Sequence, residues 1–215
     1  MIKLLDILEN KILVPRRSKE ERGKNYQIAL QKQIQQYVKG GSKGDLDLNS
    51  TPITSLPSGL TVGGYLDLSY TPIASLPSGL TVAGYLNLYS TNIKSLPSGL
   101  SVGGTLNLGY TEITSLPSDL IVDHSLNLEG SKIASLPPGL TVGGRLNLDD
   151  TPITTLPSGL SVEGSLSLDS TEITSLPPDL SVGGNLDLRR TPLARSYTKE
   201  QIRQMAPGVK GHIYF

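Results

Sequence analysis

From Leu46 to Leu188 the chain repeats itself every 20 residues without one insertion or deletion. Leucine recurs at Leu46, Leu66, Leu86, Leu106, Leu126, Leu146, Leu166 and Leu186, and a second leucine follows two places later each time. A unit this short cannot enclose an apolar core, so it must bury its apolar side against the units before and after it. The repeat therefore predicts a solenoid, whose usual product is a long exposed surface and not a catalytic pocket.

In the unit that starts at Leu66 the apolar positions are Leu66, Leu68, Ile73, Leu76, Leu80 and Val82. Leu-x-Leu has the period of two of a strand, so both leucines face one side and the residue between them faces the other. Copies of that strand stacked in parallel predict a sheet with neighbours about 4.8 Å apart. The rest of the unit cannot be helical, because Pro77-Ser78-Gly79 and Gly63-Gly64 and their copies break helices. Extended chain and turns must close each coil. The hydroxyl column Thr51, Thr71, Thr91, Thr111, Ser131, Thr151, Thr171 and Thr191 reads as architecture, each hydroxyl bonding a backbone group of the adjacent coil. The serines from Ser55 to Ser175, replaced once by Thr155, read the same way.

The segment Leu-x-Leu-x-x-Thr-x-Ile-x-x-Leu-Pro, as in Leu66 to Pro77, resembles leucine-rich repeats. The repeat length and the Leu-Pro step are similar to the short bacterial class found in secreted enterobacterial effectors and in bacteriophage-encoded proteins. The resemblance implies a β-rich solenoid: a leucine-rich-repeat stack of seven to eight 20-residue coils with a parallel β-sheet. Thr71 and its copies stand where that family usually carries asparagine, and only one Leu-Pro step occurs per unit, so a curved stack and a flatter β-solenoid both remain open. The effectors often append a cysteine-dependent ubiquitin ligase domain; this sequence has no cysteine.

The absence of cysteine also removes disulfides, thiol catalysis and cysteine metal sites. The N-terminal run Met1-Ile2-Lys3-Leu4-Leu5-Asp6 has charges inside it and does not read as a signal peptide. No segment reaches the roughly 20 apolar residues of a membrane span. The expected location is cytoplasmic, the host cytoplasm if the protein is phage-encoded, with no membrane partner. Residues 1–43 carry ten Lys/Arg against four Asp/Glu, net +6; residues 44–193 carry five against fourteen, net −9; residues 194–215 carry four against one, net +3. The basic N-terminal segment lacks an aromatic stacking platform, which argues against nucleic acid.

A stack of strands leaves an open core and an unpaired edge at each end, so its ends must be atypical. The expected organisation is a helical N-terminal cap over 1–43, the solenoid over 44–193 and a small helix-plus-strand C-terminal cap over 194–215. Ser18-Lys19-Glu20-Glu21 fits a capping box. Tyr26, Leu30, Ile34, Tyr37 and Val38 then form the apolar face of a helix expected to lie over the first coil, and Gly40-Gly41 stop it. A shorter helix is expected over 2–13. At the other end Thr198-Lys199-Glu200-Gln201 is a second capping box, opening a helix through Met205, and Gly211 to Phe215 reads as a closing strand.

Little in the chain resembles catalytic machinery, and the expectation is a non-enzyme without cofactors. Of the two histidines, His124 follows Asp123 and precedes Ser125, but consecutive residues of extended chain alternate in direction and cannot form a hydrogen-bonded triad in that order. His124 stands in a column of turn glycines and reads as a turn residue. Asp149, Asp150, Asp169 and Glu129 could offer oxygen ligands to a hard cation, yet lack a regular Asp-x-Asp spacing, so no metal site is expected.

The informative positions face outward. The column Asp47, Asp67, Asn87, Asn107, Asn127, Asn147, Ser167 and Asp187 reads as a ladder of short polar side chains. Its flanks vary: Tyr65, Tyr70, Tyr85, Tyr89 and Tyr110 in the first units, then Glu129, Asp149, Asp150 and Asp169, then Arg189 and Arg190. Tyrosine offers large contact area with a polar tip and few torsions to freeze, which suits a binding surface, although cross-strand packing would also use it. The sequence thus points to a protein- or peptide-binding face, tyrosines as anchors and acids selecting a basic partner. A structural or assembly subunit, for example of a virus particle, is the rival expectation. The partner's identity and the oligomeric state are not encoded in the repeat.

Overall fold

A computed structural model describes the backbone of residues 19–215 and the side chains of residues 25–215. The expected helix over 2–13 and the Ser18 cap lie outside the described residues. Two compact units divide the chain, one ending at Gln36 and the other running from Tyr37 to Phe215.

The second unit is a parallel β-solenoid. Two-residue strands at Leu46–Asp47, Leu66–Asp67 and so on to Leu186–Asp187 stack in chain order, and Ile213–Tyr214 ends the nine-stranded front sheet. Each pairs with the strand one coil away, Leu66 against Leu86 and Leu146 against Leu166. The bonding outlasts the strands. In the first coil the amides of Leu46, Leu48 and Ser50 donate to the carbonyls of Tyr65, Asp67 and Ser69 at 2.8 Å. The six apolar positions behave as the period demands: Leu66, Leu68, Ile73, Leu80 and Val82 are fully buried and Leu76 nearly so.

The segment expected to be only extended chain and turns forms a second sheet. Thr61–Val62, Thr81–Val82 and their copies to Ser181–Val182 stack in parallel, and Gly208–Val209 completes eight strands. The back strand is two residues long with one inward valine, too short to show a period. Each coil thus has two hydrogen-bonded walls, with the leucine, isoleucine and valine columns buried between them.

The hydroxyl column is architecture, but not by the expected bond. Thr71 Oγ1 donates to the carbonyl of Leu68 at 2.6 Å, and Thr51, Thr91, Thr111, Thr151, Thr171 and Thr191 repeat this bond three residues back in the same coil. The neighbouring coil is not involved, because the chain reverses just after the strand and brings the leucine carbonyl over its own turn. Ser131 is the exception: its buried hydroxyl has no hydrogen-bond partner.

Between strand and threonine lies a column the repeat did not advertise. Ser50, Tyr70, Ser90, Tyr110, Asp150, Ser170 and Arg190 all take the left-handed conformation, with φ between 54° and 60°, and Gly130 joins them at 62°. For a non-glycine residue this costs about 1–2 kcal/mol. The stack compensates by pairing: the amides of Tyr70 and Tyr110 donate to the carbonyls of Tyr89 and Glu129 at 3.0 and 2.7 Å.

The C-terminal end follows the expected chemistry and adds to it. Helix α3 (Lys199–Met205) opens on a complete capping box: Thr198 Oγ1 accepts from the Gln201 amide and Gln201 Oε1 accepts from the Thr198 amide. A short helix, α2 (Pro192–Ser196), precedes it, with Thr191 as N-cap and proline in the first turn. Strands Gly208–Val209 and Ile213–Tyr214 then extend both sheets.

The first unit contains most of helix α1 (Lys19–Lys39). Leu30 and Ile34 are buried, as their spacing requires, but Val38 is 45% exposed. Steps of four residues drift by about 40° around a helix, so the second step from Leu30, about 80° on, leaves the buried stripe. No described helix is long and apolar enough to cross a membrane.

Candidate functional site

The outward side of the front sheet carries the positions singled out from the sequence, and its middle column organises them. Asn87 Nδ2 donates to Asp67 Oδ2 at 3.2 Å, Asn107 Nδ2 to Asn87 Oδ1 at 3.1 Å and Asn127 Nδ2 to Asn107 Oδ1 at 3.0 Å. On Asn87 and Asn107 the same Oδ1 also accepts the amide two residues on, from Tyr89 and Gly109, while Asp67 uses its other oxygen, Oδ1, to accept the Ser69 amide. Asp67, Asn87, Asn107 and Asn127 therefore each shape their own turn as well as linking coils, through an Asx-type bond suited to the chain reversal that follows. Ser167 is too short for this. There the carboxylate of Asp149, one coil away, accepts the Asp169 amide at 2.9 Å.

The ladder splits the five tyrosines. Tyr65 and Tyr85 precede the strand and stand on one flank; Tyr85 Oη accepts from Asn107 Nδ2 at 3.0 Å. Tyr70, Tyr89 and Tyr110 stand on the other flank and form a row, with ring centroids 5.5 and 5.3 Å apart and edge-to-face. Tyr70 and Tyr110 are 61% and 49% exposed, while Tyr89 between them is half-buried. Glycines seat two of the rings. A Cβ on Gly109 would come 3.1 Å from Tyr89 Cδ2, and one on Gly130 would come 2.7 Å from Tyr110 Cε1. Both glycines lie one coil beyond the tyrosine they seat, a signal that was present in the sequence.

Tyr110 Oη donates to Glu129 Oε1 at 3.3 Å, and Glu129 Oε2 accepts from Asn147 Nδ2 at 3.3 Å. The charge of Glu129, and its hydrogen bond, push the Tyr110 pKa above its ordinary value, with a smaller contribution from Asp150. Burial raises Tyr89, helped by Tyr70 and Glu129, and burial likewise raises Tyr65 and Tyr85. All four phenols stay protonated donors at neutral pH.

Beyond Glu129 the face is occupied by its own counter-ions. Arg190 grips Asp169 with two nitrogens, Nε at 2.7 Å from Oδ1 and Nη2 on Oδ2. This bond holds the buried Asp169 carboxyl below its usual range. Arg189 is bidentate on Asp187, with Nη2 2.6 Å from Oδ2. Arg145 stands 3.9 Å from Asp149, whose pKa burial raises. The expected acidic stretch is thus largely neutralised, leaving Glu129 and the exposed Asp150 beside the tyrosine row. Among the described residues no cluster of three or more acidic or histidine side chains is placed to hold a metal. His124 is an exposed turn residue whose carbonyl accepts from the Gly144 amide, and Ser125 Oγ accepts from the Arg145 amide.

No protein-family model matches the chain, and no curated protein matches it.

Proposed function

We propose that this protein is a non-enzymatic, cytoplasmic protein- or peptide-binding module that engages its partner through the outward side of the front sheet. The observation that carries the reading is the row Tyr70, Tyr89 and Tyr110, whose outer members stay exposed although their backbones are held in a strained conformation. Cross-strand packing alone would be served by side chains that do not project into solvent. The test is direct. Proteins retained by the immobilised full chain are identified, purified and titrated against wild type, Tyr70→Ser and Tyr110→Ser; serine already occupies this column at Ser50, Ser90 and Ser170. Each variant is expected to lose about tenfold in affinity or more, the scale of a hot-spot residue. Unchanged affinity with unchanged folding would sink the proposal.

A second reading, a structural or assembly subunit with the solenoid as spacer, draws on the opposite end of the sheet. Its last strand and the residue after it leave Tyr214 and Phe215 45% and 37% exposed. Concentration-dependent self-association in sedimentation velocity, insensitive to Tyr70 and Tyr110, would favour it.

A further inference from the structure

Building on that binding face, we infer that its partner is a proline-rich segment in the polyproline II conformation, followed by a basic residue. Tyr70 and Tyr110 occupy the same column two coils apart, which sets them roughly 9–10 Å from each other at the usual strand spacing. They project, and Tyr89 forms a lower floor between them. A polyproline II helix advances about 3.1 Å per residue with three residues per turn, so side chains i and i+3 recur on one face every 9 Å or so. An extended strand repeats at about 6.7 Å and does not match rings roughly 9–10 Å apart. An α-helix returns to one face at about 10.5 Å after two turns, but the turn between puts a side chain over the recess and its carbonyls are already bonded within the helix.

The chemistry agrees with the spacing. Prolyl rings pack flat on aromatic faces, and a polyproline II backbone bonds none of its own carbonyls, so it accepts from phenol hydroxyls. Tyr110 already gives its one hydroxyl proton to Glu129, so the exposed Tyr70 hydroxyl is the donor this row offers. Its C-terminal end carries negative charge that the arginines do not cancel: Glu129 lies against Tyr110, and Asp150 is exposed close by. Asp149 and Asp169, further along, already hold Arg145 and Arg190. A cationic side chain just past the proline that covers Tyr110 therefore meets carboxylates, whereas an acidic one meets repulsion.

The experiment titrates the full chain with an acetylated, fluorescently labelled peptide of six prolines followed by two arginines. One control replaces the prolines with alternating glycine and serine; the other ends in two glutamates. Saturable binding is expected for the proline–arginine peptide, weakened by about tenfold or more in each control and in Tyr70→Ser and Tyr110→Ser. No saturation by about 1 mM, equal binding of the glycine–serine peptide, or indifference to both substitutions would overturn the inference. If the proline peptide fails while a purified partner still loses affinity in the same variants, the peptide class is wrong and the binding face stands. If both fail, both fall.

Discussion

Between Tyr65 and Tyr110 the outer face of the front sheet is aromatic, and between Glu129 and Arg190 it is charged, yet the wall behind the two halves is the same. Leu88 and Leu168 are equally buried, Thr91 and Thr171 make the same bond to their own coil, and the left-handed corner recurs at Ser90 and Ser170. The halves differ in how their outward groups are satisfied. The charged half closes on itself through Asp169–Arg190, Asp187–Arg189 and Asp149–Arg145. The aromatic half pairs ring with ring and still leaves two phenols in solvent. A repeat scaffold separates fold from function in this way: identical inward columns tolerate any outward residue whose backbone the stack can hold.

The strongest way to break that comparison is to cut the wall in each half. Leu88→Ala and Leu168→Ala each remove a fully buried side chain from an equivalent place. Each is expected to cost about 2–5 kcal/mol, and the two should agree within about 1 kcal/mol, measured by urea unfolding followed by circular dichroism. A large disparity would mean that the halves differ in their core, and that the face is not the only variable.

A smaller effect tests the seam between the halves. Gly130→Ala places a methyl group under the Tyr110 ring and gives a left-handed residue a Cβ. It is expected to cost about 1–2 kcal/mol and to change the tyrosine fluorescence as the ring is displaced. Asp150→Ala, one coil on in the same column, starts from a residue that already bears the left-handed strain at φ 56°. It should leave both stability and fluorescence close to wild type. Equal losses in both variants would show that the ring seat at Gly130 has no special role.

Much of this was legible in the repeat. The front strands, the six buried columns, the ladder and the C-terminal capping box follow from spacing and side-chain type. The back sheet does not, because a two-residue strand such as Thr81–Val82 carries one inward residue and no period. The left-handed corner is hidden because Tyr70, Tyr110 and Arg190 are not residues that favour it; the stack's hydrogen bonds impose it. The tyrosine row was half visible. The five tyrosines stand out by composition, but their division by the ladder, and the pairing of Tyr110 with Glu129, depend on which flank of the strand each residue occupies and how each ring leans toward the next coil. The ion pair Asp169–Arg190 spans one coil plus one residue, a separation that the charge pattern alone does not single out.

The smallest expected effect separates the halves by pH. Asp169 has its pKa lowered by the hydrogen bond and charge of Arg190, so its contribution to stability is present above the ordinary carboxylate value of about 4 and is lost as pH falls through the lower folded value. Asp149, raised by burial, acts in the opposite direction on acidification, so a raw acid profile mixes the two. Arg190→Gln isolates the first: the gap between wild type and variant should be small but measurable at neutral pH, shrink with added salt, and close below the carboxylate range. Tyr110 has its pKa raised by Glu129, so its contribution is present below the ordinary phenol value of about 10 and is lost as pH rises through the higher folded value. Glu129→Gln removes that charge and should narrow the alkaline loss while leaving the acid side of the Arg190→Gln comparison untouched. Thermal melts of the three proteins from acid to alkali check both arms. If Arg190→Gln altered the alkaline limb, or Glu129→Gln the acid one, the two halves would be electrostatically coupled and the division drawn at Gly130 would be wrong.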